Sequence, residues 1–204
     1  MKSLKESILS TSKVGKYDEW NTLKKENAHP KDLRELKSTI AQAIKLKGNN
    51  VDLNWIDVSA IKSFLFLFHK SDFNGDISKW DVSNAYDMSD MFSNSKFNGD
   101  ISEWDVSNVK DMRDMFYDSE FNGDISKWDV SKVQHMAFMF SKSKFTGDIS
   151  DWDISNVRNM TYMFADSQFN GDLSKWNPKS AKTTYGMFKN SPLNSNPPEW
   201  YEYN

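Results

Sequence analysis

Cysteine is absent from the 204-residue sequence, and no apolar run approaches the length of a membrane span. Without cysteine, the chain has neither disulfide bonds nor thiolate metal sites. A transmembrane helix needs about 20 mostly apolar residues, whereas the most apolar stretch, AIKSFLFLFH from Ala60, is much shorter. We therefore expect no membrane span.

The amino terminus, MKSLKESILSTSKVGK, also lacks the features of a secretory leader. It contains lysines, but neither the apolar core nor the small-residue cleavage site of a signal peptide. No lipobox or anchor is recognisable either. We expect a protein that is cytoplasmic or associated with a particle, or one at the cell surface whose leader has been removed.

Residues that carry catalysis or hold metals are sparse. The three histidines, His29, His69 and His135, are far apart and form no ligand cluster. Serines recur along the chain, but no histidine recurs beside them to act as a base, and no glycine-rich phosphate loop precedes a helix. We predict no cofactor, no metal site and no enzymatic activity.

Charge is divided unevenly along the chain. Residues 1–50 contain 11 Lys and Arg against 6 Asp and Glu, whereas residues 51–204 contain 15 against 23. An acidic body does not attract nucleic acid, whose phosphates require a basic surface. Nucleic acid is therefore not an expected partner, and the basic segment is interpreted as a solvated helical surface or as a contact with something acidic.

What the sequence does contain is a 24-residue repeat, clearest in FNGDISEWDVSNVKDMRDMFYDSE from Phe97. A fixed period in the twenties is typical of a solenoid whose coils share one core. The methionines fit that core, because unbranched thioethers fill gaps between aromatic rings. Three columns recur at this step: Phe73, Phe97, Phe121, Phe145 and Phe169; Trp80, Trp104, Trp128, Trp152, Trp176 and Trp200; and Met91, Met115, Met139, Met163 and Met187.

Within a repeat, the apolar spacing predicts a short strand followed by a short helix. Trp104 and Val106 flank Asp105, which is the alternation of a strand with its acid outward. The next apolar residues share one helical face; they are Val109, Met112, Met115 and Phe116.

Polar residues fit the ends of these elements. Asn108 followed by Asp111 is typical of a helix amino-terminal cap. The Asn-Gly of FNGD predicts a tight turn in which glycine adopts a positive φ. The predicted fold class is an LRR-like α/β repeat solenoid of 24-residue coils with a helical amino-terminal cap.

Three regions follow from the pattern: a helical cap at residues 1–50, an LRR-like solenoid of about six coils at 51–191, and a carboxy-terminal cap at 192–204. In the first, YDEWNTLKKENA and the segment 30–47 are predicted helices, the second ending before a glycine. At the other end, prolines forbid another strand. The residues expected to close over the last coil are Trp200, Tyr201 and Tyr203.

The consensus GDISxWDVSNVxxMxxMFxxSxxFN, carried by consecutive coils within residues 51–191, resembles the repeat of BspA-like leucine-rich-repeat proteins of bacterial surfaces. The resemblance implies a surface-exposed interaction or adhesion module without catalysis. The opening LKESILSTSKVGK and the close NSPLNSNPPEWYEYN are similar to short phage and prophage proteins, which implies a component of a particle instead.

Two columns of aspartates leave three interpretations open. Each residue follows a glycine or precedes a turn, where its carboxylate can accept from nearby N–H groups. The alternatives are a solvated acidic stripe, and a calcium site of the kind suggested by DFNGD at Asp72. The columns are Asp76, Asp100, Asp124, Asp148 and Asp172, and Asp57, Asp81, Asp105, Asp129 and Asp153.

Positions that vary between coils predict a binding surface. Phe138 and Tyr162 occupy a column that holds aspartate in the two preceding coils. Arg158 is expected one helical turn before Tyr162, and Tyr185 lies one position off the column. Because exposed aromatic and arginine side chains are common interface anchors, the candidate patch consists of these four residues.

The sequence therefore predicts a non-enzymatic module that binds a protein or a surface macromolecule. A structural or decoration component of a phage or other particle is the alternative. If the aromatic patch does not bind, the opposite face, which carries Lys79, Glu103 and Lys127, is the next candidate.

Overall fold

The described part of the chain contains two α-helices, one turn of 3-10 helix and a stack of repeats. The computed structural model describes residues 4–201. Helix α1 spans Leu4–Asn27, helix α2 spans Leu33–Lys47, and one turn of 3-10 helix spans Pro192–Asn194. Between α2 and the 3-10 turn, consecutive repeats lie side by side and are joined by isolated parallel bridges. These bridges join Ser63 to Asp87, Asp87 to Asp111, Asp111 to His135, His135 to Asn159, and Asn159 to Thr183.

The predicted fold class, an LRR-like α/β solenoid with a short strand and a short helix in each coil, is wrong. From Asn49 to Ser191 the described chain has no helix and no strand, only turns, bends and isolated bridges. The apolar spacing identified burial rather than secondary structure. Trp104 and Val106 are buried and Asp105 is exposed, as an alternating strand would require, but the backbone there is not a strand.

Left-handed residues prevent the predicted helix. Asp114 and Asp118 have φ angles of 55° and 49°, and a residue with positive φ does not continue a right-handed helix. The same two positions are left-handed in the other repeats. These pairs are Phe66 and Lys70, Asp90 and Asn94, Phe138 and Lys142, Tyr162 and Asp166, and Gly186 and Asn190.

Hydrogen bonds between repeats replace those of a helix. In the segment 112–118, alternate N–H groups donate to carbonyl oxygens of the following repeat, as Phe116 does to Met139 at 3.0 Å. The N–H groups between them bond within the repeat, as Tyr117 does to Asp114 at 3.1 Å. The buried backbone is therefore satisfied without a helix.

Ladders of stacked phenylalanine rings run through the core. Ring centroids are 6.1–6.3 Å apart in the column from Phe73 to Phe169, and 5.6–5.9 Å apart in the column from Phe68 to Phe188. The repeat methionines have no exposed surface, which confirms their predicted place in the core.

The tryptophan column adds a hydrogen bond to each step of the stack. The indole Nε1 of Trp128 donates to the carbonyl oxygen of Ile101 at 3.1 Å, and every other tryptophan of the column makes the same bond to the residue 27 positions earlier. A buried indole N–H needs such a partner, so each ring is fixed in orientation as well as in depth.

The FNGD segment is not the predicted tight turn. Gly99 does not have a positive φ; a Cβ added there would lie 2.8 Å from the ring of Phe97. Glycine is therefore required because that ring lies against its Cα. The asparagine before glycine in this segment links neighbouring repeats. The side-chain oxygen of Asn74, for example, accepts a hydrogen bond from the backbone N–H of Asn98 in the next repeat at 2.8 Å.

Helix α2 is fixed by capping at both ends. The Asp32 carboxylate accepts from the N–H of Glu35 at 2.8 Å, which satisfies a free donor of the first turn. Gly48, at φ 86°, ends the helix and donates its N–H to Ile44. The predicted helix at 30–47 is thus present, and α1 begins upstream of the predicted Tyr17.

The cap covers the first repeat. Leu36 and Ile40 of α2 are buried in the same apolar cluster as the repeat core. Lys37 of α2 donates through Nζ to the carbonyl oxygen of Leu65 at 3.1 Å.

No helix in the described part of the chain is long and apolar enough to cross a membrane.

Aromatic residues close the other end, as predicted. Trp200 stacks on Trp176 with ring centroids 6.2 Å apart, and Tyr201 packs edge-on against Phe188 at 4.9 Å. Trp200 thereby extends the tryptophan column by one position. Tyr203, the third residue predicted here, lies outside the described residues.

Candidate binding surface

Three of the four predicted patch residues are in contact and form what is called here the aromatic ladder, Phe138, Tyr162 and Tyr185. The rings of Phe138 and Tyr162 stack with centroids 5.2 Å apart. Tyr185 meets Tyr162 edge-on at 5.4 Å. Phe138 and Tyr162 are partly buried, and Tyr185 is 54 % exposed. Consecutive repeats thus present a continuous aromatic surface to solvent.

The backbone beneath the aromatic ladder is unfavourable for its residues. Phe138 and Tyr162 have φ angles of 58° and 53°, and bulky side chains are rare in the left-handed region. Such a conformation costs on the order of 1–3 kcal/mol per residue, of which an aromatic pair recovers about 0.5–1.5 kcal/mol. Asp90 and Asp114 occupy the same column in the preceding repeats, and aspartate tolerates this conformation.

Glycine makes room for the ladder in the last repeat. Gly186 follows Tyr162 in the left-handed column and has a φ of 61°. A Cβ at this position would lie 2.4 Å from the Tyr162 ring. The Tyr162 ring therefore occupies the space that a side chain at Gly186 would fill, and Tyr185 packs against it from the neighbouring position.

Arg158, the fourth predicted patch residue, belongs to a different surface. Its assignment assumed a helix that would place it one turn before Tyr162, and that helix does not exist. Arg158 instead lines a shallow groove with Lys110, Lys132 and Gln134. The cation near the aromatic ladder is Lys189, whose Nζ lies 5.9 Å from the centre of the Tyr162 ring.

The aspartate columns make the predicted local hydrogen bonds. One oxygen of Asp124 accepts from the N–H of Ser126 at 2.9 Å, and Asp105 accepts from Ser107 at 3.0 Å. The other members bond the residue two positions on in the same way: Asp76, Asp100, Asp148 and Asp172, and Asp57, Asp81, Asp129 and Asp153. The structural interpretation of these columns is confirmed.

At Asp124 and Asp105 these bonds make the carboxyl group more acidic. The N–H of Ser126 lowers the pKa of Asp124, and the hydroxyl and N–H of Ser107 lower the pKa of Asp105. Hydrogen bonds to the ionised form favour that form. The carboxylates therefore stabilise the turns that they precede.

The left-handed aspartates behave in the opposite way. Burial raises the pKa of Asp114 to about 6, and the nearby Asp90 carboxylate adds to the increase. Burial also raises the pKa of Asp90. The surface next to the aromatic ladder is thus a pair of partly buried acids in adjacent repeats.

The second predicted face consists of charge pairs between repeats. Lys127 lies 3.6 Å from Glu103, and Lys175 lies 2.6 Å from Asp151. Lysine and acid alternate from one repeat to the next in this column, which begins with Lys79. Exposed pairs of this kind contribute little stability each, but they favour one register of the stack.

A sequence signal for the left-handed backbone was present and was missed. Aspartate or asparagine recurs within the predicted helix, at Asp90 and Asn94 and again at Asp114 and Asp118. These residues are poor in helix interiors and enriched in the left-handed conformation. Their four-residue spacing marks the two turns of each repeat.

Comparison with known protein families finds a match that covers the repeats. A sequence profile of the family described as "Mycoplasma protein of unknown function, DUF285" matches residues 34–144 and again residues 118–202. Searches of curated proteins and of solved structures found no match. Because the two matched ranges together cover most of the sequence, the chain belongs to the DUF285 family.

Proposed function

We propose that this chain is a non-enzymatic interaction module that binds a protein through the aromatic ladder. The resemblance of its repeat to BspA-like surface repeats implies a role in adhesion or surface interaction, and the repeat family to which the chain belongs agrees with a tandem-repeat module. The observation that carries the proposal is the placement of Phe138 and Tyr162 on left-handed backbone.

The left-handed column does not need aromatic residues for folding. Asp90 and Asp114 fill the equivalent positions of two central repeats, and aspartate suits that backbone better than phenylalanine or tyrosine. An arrangement that costs backbone energy and exposes apolar surface is typical of a site selected for contact. Tyrosine and other aromatic side chains are also frequent interface anchors.

The test is capture of partners by a matched set of variants. The double variant Phe138→Asn with Tyr162→Asn removes the ladder but keeps residues that tolerate a positive φ. Phe66→Asn is the control, because Phe66 is exposed and left-handed in the same column but lies in the first repeat. Each protein is immobilised, exposed to an extract of solubilised cell-surface proteins, and its bound proteins are quantified.

We expect at least one protein of the extract to bind equally to the unmodified chain and to Phe66→Asn. The amount of that protein bound by the double variant should be at least tenfold lower, which corresponds to about 1.4 kcal/mol of binding free energy. Circular dichroism should show that all three proteins are folded alike. If every protein retained by the unmodified chain is retained equally by the double variant, the aromatic ladder is not the binding surface.

A further inference from the structure

A second surface follows a different column of the repeats and is called here the basic row. Its backbone is held in step, since each residue after the first donates its N–H to the carbonyl oxygen of the preceding member at 2.8–2.9 Å. Backbones paired in this way lie about 4.8 Å apart. The basic row is Lys62, Tyr86, Lys110, Gln134, Arg158 and Lys182.

Cations and neutral residues alternate along most of the basic row. Lys62, Lys110 and Arg158 are separated by Tyr86 and Gln134, so that one positive charge recurs every two repeats, about 10 Å apart. All of these side chains are exposed except that of Gln134, which is partly buried.

The positive charges of the basic row are not neutralised by the protein. Elsewhere on the repeats, four lysines pair with an acid of the preceding repeat, as Lys144 does with Glu120. In the described residues no ion pair involves a member of the basic row. The adjacent carboxylate of Asp111 is engaged by the guanidinium of Arg113.

A groove beside the row supplies hydrogen-bonding groups. It is lined, within the described residues, by three cations and three neutral polar side chains, without a carboxylate. The Nζ of one of these cations, Lys132, donates to the side-chain oxygen of Asn108 at 2.8 Å. The lining residues are Lys110, Lys132, Gln134, Asn156, Arg158 and Ser180.

We propose that the basic row binds a linear acidic polysaccharide that carries one carboxylate in each disaccharide. The distance between alternate cations is close to the length of a disaccharide, so Lys110 and Arg158 meet successive carboxylates. Gln134 and the polar groups of the groove then face the hydroxyl groups of the sugars between them. Tyr86, which is 51 % exposed, offers an aromatic ring to a sugar further along the polymer.

Nucleic acid fits this surface less well. Duplex DNA carries one charge for every 1.7 Å or so of its axis, whereas the basic row carries one cation for about 10 Å. Residues 51–204 also contain 23 acidic residues against 15 basic ones, which repel a dense polyanion. A polymer of low charge density avoids that repulsion.

Binding to hyaluronan fragments, measured by isothermal titration calorimetry at low salt, tests the proposal. Hyaluronan has one carboxylate in each disaccharide; neutral dextran and single-stranded DNA are the comparison ligands. The variant Lys110→Ser with Arg158→Ser removes two cations of the basic row. The control, Lys127→Ser with Lys175→Ser, removes two exposed lysines that are paired with acids.

We expect hyaluronan to bind the unmodified chain and the control with the same affinity. Its affinity for Lys110→Ser with Arg158→Ser should be at least tenfold lower. Binding to the unmodified chain should weaken as the salt concentration increases. The aromatic-ladder double variant should bind it normally, because the two surfaces are separate. Absence of hyaluronan binding, equal loss in the control, or stronger binding of DNA through the same two residues would overturn the proposal.

Discussion

At the scale of single residues, the tryptophan column combines burial with a fixed hydrogen bond. Trp128 is 3 % exposed and packs against Phe116 with ring centroids 6.4 Å apart. Its indole N–H satisfies the carbonyl oxygen of Ile101 in the preceding repeat. A substitution therefore affects two neighbouring repeats at once.

Substitution of Trp128 separates the two contributions. Trp128→Ala should lower the free energy of unfolding by about 3–5 kcal/mol, because it leaves a large cavity. Trp128→Phe keeps a ring in the column but removes the indole donor, while the Ile101 carbonyl keeps the backbone N–H of Trp104, and the lost bond should cost about 0.5–1.5 kcal/mol. Urea denaturation measures both; an unchanged midpoint in Trp128→Ala would show that the column does not contribute to the core.

The two kinds of aspartate predict opposite responses to pH. The folded-state pKa of Asp114 is raised to about 6, so its contribution to stability is full below the unfolded value near 3.9 and is lost as the pH rises through 6. Asp114→Asn should therefore be more stable than the unmodified chain at pH 7.5, by roughly 1–2 kcal/mol after allowance for screening. The advantage should disappear towards pH 4.

Asp105→Asn is the matched control for that measurement. The folded-state pKa of Asp105 is lowered, so its contribution is present above the unfolded value and is lost as the pH falls through the folded value. The variant should be no more stable than the unmodified chain at pH 7.5. Thermal melts from pH 4 to pH 8 compare the two; a gain that does not depend on pH in Asp114→Asn would refute the assignment.

At the scale of elements, α2 and the repeats differ in how far the sequence specifies them. The helix has local signals at both ends, the Asp32 cap and Gly48, and both were identified. The segment 109–118 has a helical apolar spacing but no helix, because from Met112 onwards alternate N–H groups donate to the next repeat. Periodicity identified the buried residues correctly and the backbone incorrectly.

For the candidate site, too, the sequence predicted which repeats are neighbours but not the path of the backbone within a repeat. Phe138, Tyr162 and Tyr185 were grouped correctly, because equivalent positions of adjacent repeats must be neighbours. Arg158 was misplaced because its position depended on the path of the backbone inside one repeat. The basic row was missed for the same reason, since its exposure is decided by the bridges beside it.

At the scale of the whole molecule, stability arises between neighbouring repeats. The phenylalanine ladders, the indole bonds and the backbone bonds each join one repeat to the next. In such arrays the free energy is approximately a sum of repeat and nearest-neighbour terms. Folding of the array therefore depends less on the number of repeats than on their alignment, in which equivalent residues of neighbouring repeats stack.

Deletions in and out of register test this description. Removal of residues 97–120, one complete repeat, should leave a folded protein with cooperative unfolding and a moderately lower urea midpoint. After this deletion the residues of each column still stack on equivalent residues of the neighbouring repeat. Removal of residues 97–108 shifts the columns by half a repeat and should abolish cooperative unfolding. If the half-repeat deletion unfolds with an unchanged midpoint, stacking in register is not what stabilises the chain.

The sequence by itself determined the 24-residue step, the buried columns and the helical cap. Apolar side chains that recur at a fixed interval share one core whatever path the backbone takes, and helix caps are local. Only the tertiary structure decided the backbone of the repeats. The same apolar spacing suits a helix and a pair of left-handed turns, and the choice depends on whether an N–H group such as that of Phe116 finds its acceptor within its own repeat or at Met139 of the next.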